Sequence, residues 1–99
     1  MEIKWSDEAE ASFNEIVDDI SNKWTQREVD NFIEETDKVI NNISQFPFMY
    51  AATNKRKNIR RAVIASLTSL IYRVKKRKEQ IELILFWDNR KNPKQLKIK

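Results

Sequence analysis

The 99-residue, 11.9 kDa chain is long enough for one small core and no more. It has no cysteine, no histidine and no glycine. Disulfides, thiolate or imidazole catalysis, Cys/His metal sites, glycine-dependent phosphate loops and the GxSxG nucleophile elbow are therefore excluded. The net charge of +4 is split: residues 1–50 carry four Lys/Arg against twelve Asp/Glu, a net of −8, and residues 51–99 carry fifteen against three, a net of +12.

Ile3-Lys4-Trp5 alternates apolar and polar side chains and predicts a short strand. Ser6 or Asp7 then caps a helix whose Ala9, Phe13, Ile16, Val17, Ile20 and Trp24 recur every three or four residues. Thr25-Gln26-Arg27-Glu28 is a capping box and opens a second helix, with Val29, Phe32, Ile33, Thr36, Val39, Ile40 and Ile43 on one face. Pro47 ends it, because the residue before a proline disfavours helix. The two segments make an αα-hairpin. Residues 47–58 read as a loop. Beyond them the period changes to two: Ile59–Ile64, Thr68–Val74 and Gln80–Trp87 are predicted strands, the last apolar on both faces and so interior. The short connections fit antiparallel hairpins, and without glycine their turns are expected to take three to five residues. The fold class is α+β, ordered β-α-α-β-β-β, with an N-terminal helical hairpin packed on a small antiparallel sheet. No run approaches the ~18 apolar residues of a membrane span. The N-terminus lacks a signal-peptide pattern, so a cytoplasmic location with no membrane partner is expected.

That order, a buried Trp5 on the first strand, the Phe46-Pro47 stop, the run Leu70-Ile71-Tyr72-Arg73-Val74, the strand Ile81-Glu82-Leu83-Ile84-Leu85 and the closing Asp88-Asn89-Arg90-Lys91-Asn92-Pro93 together resemble the RelE/ParE toxin superfamily. These are toxins of type II toxin–antitoxin, or plasmid stabilisation, modules. The resemblance covers nearly the whole chain. It implies one toxin domain over residues 1–99, with 91–99 as a basic tail, that inhibits growth and is neutralised by a cognate antitoxin. One branch of the superfamily cleaves mRNA on the ribosome; the other poisons DNA gyrase and has no known hydrolytic site.

Cleaving RNA without a metal needs a group to take the 2′-hydroxyl proton and cations to meet the charged transition state. Arg60 and Arg90 match basic positions of the cleaving branch, and Arg61 adjoins the first; these three are the catalytic candidates if RNA is cut. Ser69 stands where that branch often has an arginine, and Leu96 falls near its C-terminal tyrosine. The reading therefore favours a ParE-like toxin that binds its target, possible targets being DNA gyrase or the ribosome and its mRNA. The alternatives are a RelE-like metal-independent mRNA endoribonuclease and a non-toxic nucleic-acid-binding module. Lys55, Arg56, Lys57, Arg60, Arg73 and Arg90 are the expected contacts to nucleic acid or target. Trp87 is the expected antitoxin contact, Tyr72 reads as core, and Lys75–Lys78 as a solvated turn. No metal, cofactor or small-molecule ligand is expected.

Overall fold

The computed structural model describes residues 1–90; the basic tail and Leu96 lie outside them. Strand β1 (Glu2–Trp5) leads into helix α1 (Asp7–Lys23) through Ser6, whose hydroxyl accepts the Ala9 N–H at 3.0 Å and caps the helix. Helix α2 (Gln26–Gln45) returns, its start closed by Thr25, whose backbone N–H donates to the Glu28 carboxylate at 3.2 Å. Then come β2 (Ala52–Asn54), β3 (Ile59–Ile64), β4 (Thr68–Lys75), a 3₁₀ turn (Lys76–Lys78) and β5 (Gln80–Asp88).

The sheet has five strands in the order β1-β5-β4-β3-β2. The helical hairpin precedes it as expected, but the sheet is mixed and not wholly antiparallel. Helix α1 carries the chain away from β1 and α2 brings it back, so β1 runs parallel to β5, pairing Glu2 with Gln80 and Trp5 with Leu83. The remaining pairs are antiparallel. The extra strand, β2, lies inside the expected 47–58 loop and pairs with the start of β3.

One sheet face buries Ala62, Ile64, Leu70, Tyr72, Val74, Ile81, Leu83 and Phe86 against Ala9, Phe32, Val39 and Ile43 of the helices. At about 25 cal/mol per Å² of apolar area, this layer is the main source of stability. Trp5 is not buried as expected. It is 42% exposed and covers the core edge, stacking on Phe86 at 5.4 Å and meeting Phe13 edge-on at 5.5 Å.

Strand β1 is too short to cover the whole outer edge of β5. Past Leu83 the β4–β5 register shifts, and α1 and its N-cap supply hydroxyls in place of a strand. Ser6 donates to the Ile84 carbonyl at 2.9 Å, and Ser12 accepts the Phe86 N–H at 2.9 Å. The β3–β4 turn takes the expected three residues. Ala65 and Ser66 both adopt left-handed backbone, with φ of 51° and 64°, a conformation that glycine would accept without strain. Among the described residues no helix is long and apolar enough to cross a membrane.

Candidate functional site: two ends of the sheet

Period-two alternation puts the neighbours Arg60 and Arg61 on opposite faces. Arg60 pairs with Tyr72 and points to the helix side. There its guanidinium ties down the loop after α2: Nη1 donates to the Tyr50 carbonyl at 2.5 Å, Nε donates to Asn58 Oδ1 at 3.2 Å, and the group sits 4.9 Å over the Phe48 ring. The buried Tyr72 hydroxyl donates to the Pro47 carbonyl at 3.0 Å. Burial pushes the Tyr72 hydroxyl up to about 12, and the charge of Arg60 opposes the shift in part. Both side chains hold the 46–50 segment in place.

Arg61 projects from the other face. Its Nε donates to the fully buried Ser69 Oγ at 2.6 Å and its Nη2 to Asn89 Oδ1 at 3.0 Å, while Ser69 Oγ donates to Asn89 Oδ1 at 2.7 Å. Ser69, at the position read as a missing arginine, thus orients a neighbouring one. Arg90 reaches the same end but turns toward α1. Its Nη2 lies 2.7 Å from Asp88 Oδ2 and 3.2 Å from Asp19 Oδ2. Bonding to Asp88 first, and its charge, hold Arg90 above its ordinary range. Lys23 first, then Arg90, hold the Asp19 carboxyl below its own. Arg90 and the half-buried Trp87 line one cleft of about 590 Å³ between α1 and β5, together with Glu15, Asp18 and Asp19.

The opposite end of the sheet is the basic one. Strand β3 starts there and β4 finishes there, so the turn holding Lys55, Arg56 and Lys57 lies beside the turn holding Lys76, Arg77 and Lys78. The Val74 N–H donates to the Asn58 carbonyl at 3.1 Å, fixing the two turns one strand spacing apart. Arg73 and Lys75 lie among the last three residues of β4. Lys75 pairs with Glu82 at 3.6 Å, and the Arg73 Nε is buried with no hydrogen-bond partner among the described residues. Of the candidates, Lys55, Arg56, Lys57, Arg60 and Arg73 gather at this end, whereas Arg61 and Arg90 flank Asn89 at the other. Lys76–Lys78 form the exposed turn that the sequence reading expected, but their place beside Lys55–Lys57 was not drawn from it. The signal was available, because an antiparallel β3–β4 pair must bring the segment before β3 beside the segment after β4.

The chain matches, over residues 3–93, the family described as the ParE toxin of type II toxin–antitoxin systems, parDE. The chain belongs to the ParE toxin family. The match takes in both helices, four whole strands, β1 from Ile3 on, and each charged cluster described above. It makes the protein a toxin of a type II toxin–antitoxin pair, which implies an antitoxin partner. No individual curated protein gives a significant match.

Proposed function

We propose that this ParE-family toxin acts in the cytoplasm by binding and disabling DNA gyrase, arresting growth until a cognate antitoxin neutralises it, and so stabilises the plasmid that carries the pair. The observation that supports binding over cleavage is how the candidate groups are engaged. Arg60 is bonded to a backbone carbonyl and to Asn58, Arg90 to two carboxylates, and the Tyr72 hydroxyl to Pro47 with its proton held to about pH 12. A general base works best with a pKa near the operating pH, and Tyr72 does not meet that condition. Lys55, Arg56, Lys57 and Arg73 remain as the proposed contacts to the anionic target, and Trp87, in its cleft beside α1, as the proposed antitoxin contact.

A second reading, as a metal-independent mRNA endoribonuclease, draws on Arg61. It is exposed and aligned by Ser69 and Asn89, and an arginine so held can face a phosphate. Expression of the chain in growing bacteria, with and without the product of the neighbouring gene, separates the two readings. The gyrase reading expects arrest with altered plasmid supercoiling and intact transcripts, relieved by co-expression. Cut transcripts with normal supercoiling would instead support the nuclease, and unaffected growth would remove the toxin reading.

A further inference from the structure

The six cations of the two adjoining turns are exposed, and none of them pairs with a carboxylate among the described residues. The only carboxylate within either turn is the exposed Glu79; the next, Glu82, is taken by Lys75. Such crowding of like charge is unfavourable in the free protein and is relieved by a polyanion. Both turns are closed by hydrogen bonds. Asn58 and Glu79 hold left-handed backbone, with φ of 54° and 51°. Asn54 Oδ1 accepts the Lys57 N–H at 3.1 Å, and the Lys76 carbonyl accepts the Glu79 N–H at 3.1 Å. The cations are thus displayed on fixed supports about one strand spacing apart.

We infer that this end of the sheet is a binding site for a nucleic-acid phosphate backbone, in which Lys55, Arg56 and Lys57 from one turn and Lys76, Arg77 and Lys78 from the other meet successive phosphates. Nucleic acid fits better than an acidic peptide. Peptide docking draws most of its energy from a few well-buried anchor side chains, and neither turn contains an apolar side chain or a pocket for one among the described residues. The exposed Phe48 nearby already has Arg60 and Lys76 over its ring, at 4.9 and 5.1 Å from the centroid. The site shares Lys55, Arg56 and Lys57 with the target contacts proposed above, but binding of a bare nucleic acid is read with neither gyrase nor ribosome present, so its failure is distinguishable from the failure of that reading.

The test is fluorescence anisotropy of the full chain with a short labelled duplex DNA and, separately, a single-stranded RNA, at increasing salt. Six phosphate contacts give a slope of log K on log salt of about −5 for duplex and about −4 for single strand. The tighter of the two ligands identifies the source of the backbone. The triple variant Lys76→Gln, Arg77→Gln, Lys78→Gln, or its counterpart at Lys55, Arg56 and Lys57, flattens the slope by about 3. Removing the same charge from the helices, through Lys23→Gln, Arg27→Gln and Lys38→Gln, leaves the slope in place. Thermal unfolding confirms that each variant is folded, and Lys76→Arg with Lys78→Arg retains binding. No binding to either nucleic acid, a slope that neither turn variant changes, or equal affinity for poly-glutamate would overturn the inference.

Discussion

Arg60→Met removes a guanidinium and keeps most of its aliphatic length, so it tests whether this arginine supports the fold. The bond to the Tyr50 carbonyl at 2.5 Å is charge-assisted, a class worth about 1.5–3 kcal/mol. The bond to Asn58 at 3.2 Å adds about 1 kcal/mol, and the contact with the Phe48 ring about 0.5–1 kcal/mol. The 3.4 Å approach to the Phe48 carbonyl is too long to add much. Because the group is partly exposed and the contributions overlap, the expected loss is about 3 kcal/mol. For a domain of this size that lowers Tm by roughly 12 °C or more, read by circular dichroism or calorimetry. Amide exchange should quicken first around Tyr50, whose carbonyl Arg60 holds. A Tm shift below about 4 °C, the equivalent of 1 kcal/mol, together with loss of toxicity in a folded variant, would refute this account and make Arg60 a direct target contact.

Ala65→Gly should stabilise the fold by about 0.5–1 kcal/mol, since glycine takes the left-handed backbone without a Cβ clash at some cost in unfolded-chain entropy; denaturant unfolding with an unchanged m-value checks it. Ser12→Ala leaves the Phe86 N–H without its 2.9 Å acceptor, so a loss of about 1–2 kcal/mol and faster exchange at that amide are expected. Tyr72 has a folded pKa raised from 10.0 to about 12 by burial. Its contribution is therefore complete below pH 10 and is lost as pH rises through about 12. Tyrosinate absorbance should show Tyr72 ionising only near pH 12, and Tyr72→Phe should lack that alkaline loss of stability.

The periodicities show in the sequence because each reports a buried face: Phe32, Thr36, Val39 and Ile43 along α2, and Leu70, Tyr72 and Val74 along β4. Strand β2 was not legible, because three residues, Ala52–Asn54, carry no period and are made a strand only by the edge of β3. Trp5 looked like core on hydrophobicity, yet the short first strand leaves it on the rim. The Ala65-Ser66 turn defied propensity, since pairing of Ile64 with Thr68 forces a tight reversal whatever residues occupy it. At the site, strand alternation separates Arg60 from Arg61, but it cannot say which of them meets the helices. That depended on Ala62 and Ile64 being the buried pair. Of the two partners of Arg90, Asp88 stands two residues away and is legible locally, whereas Asp19 comes from α1, 71 residues earlier in the chain, and local sequence carries no sign of it.

The central claim, a toxin that binds gyrase and does not cut RNA, is tested most directly with purified components. The full chain is added to gyrase with relaxed plasmid, and in parallel to a translating extract with labelled mRNA. The account predicts loss of supercoiling activity in the first reaction and full-length message in the second. Undiminished supercoiling beside ribosome-dependent cleavage of the message would contradict it.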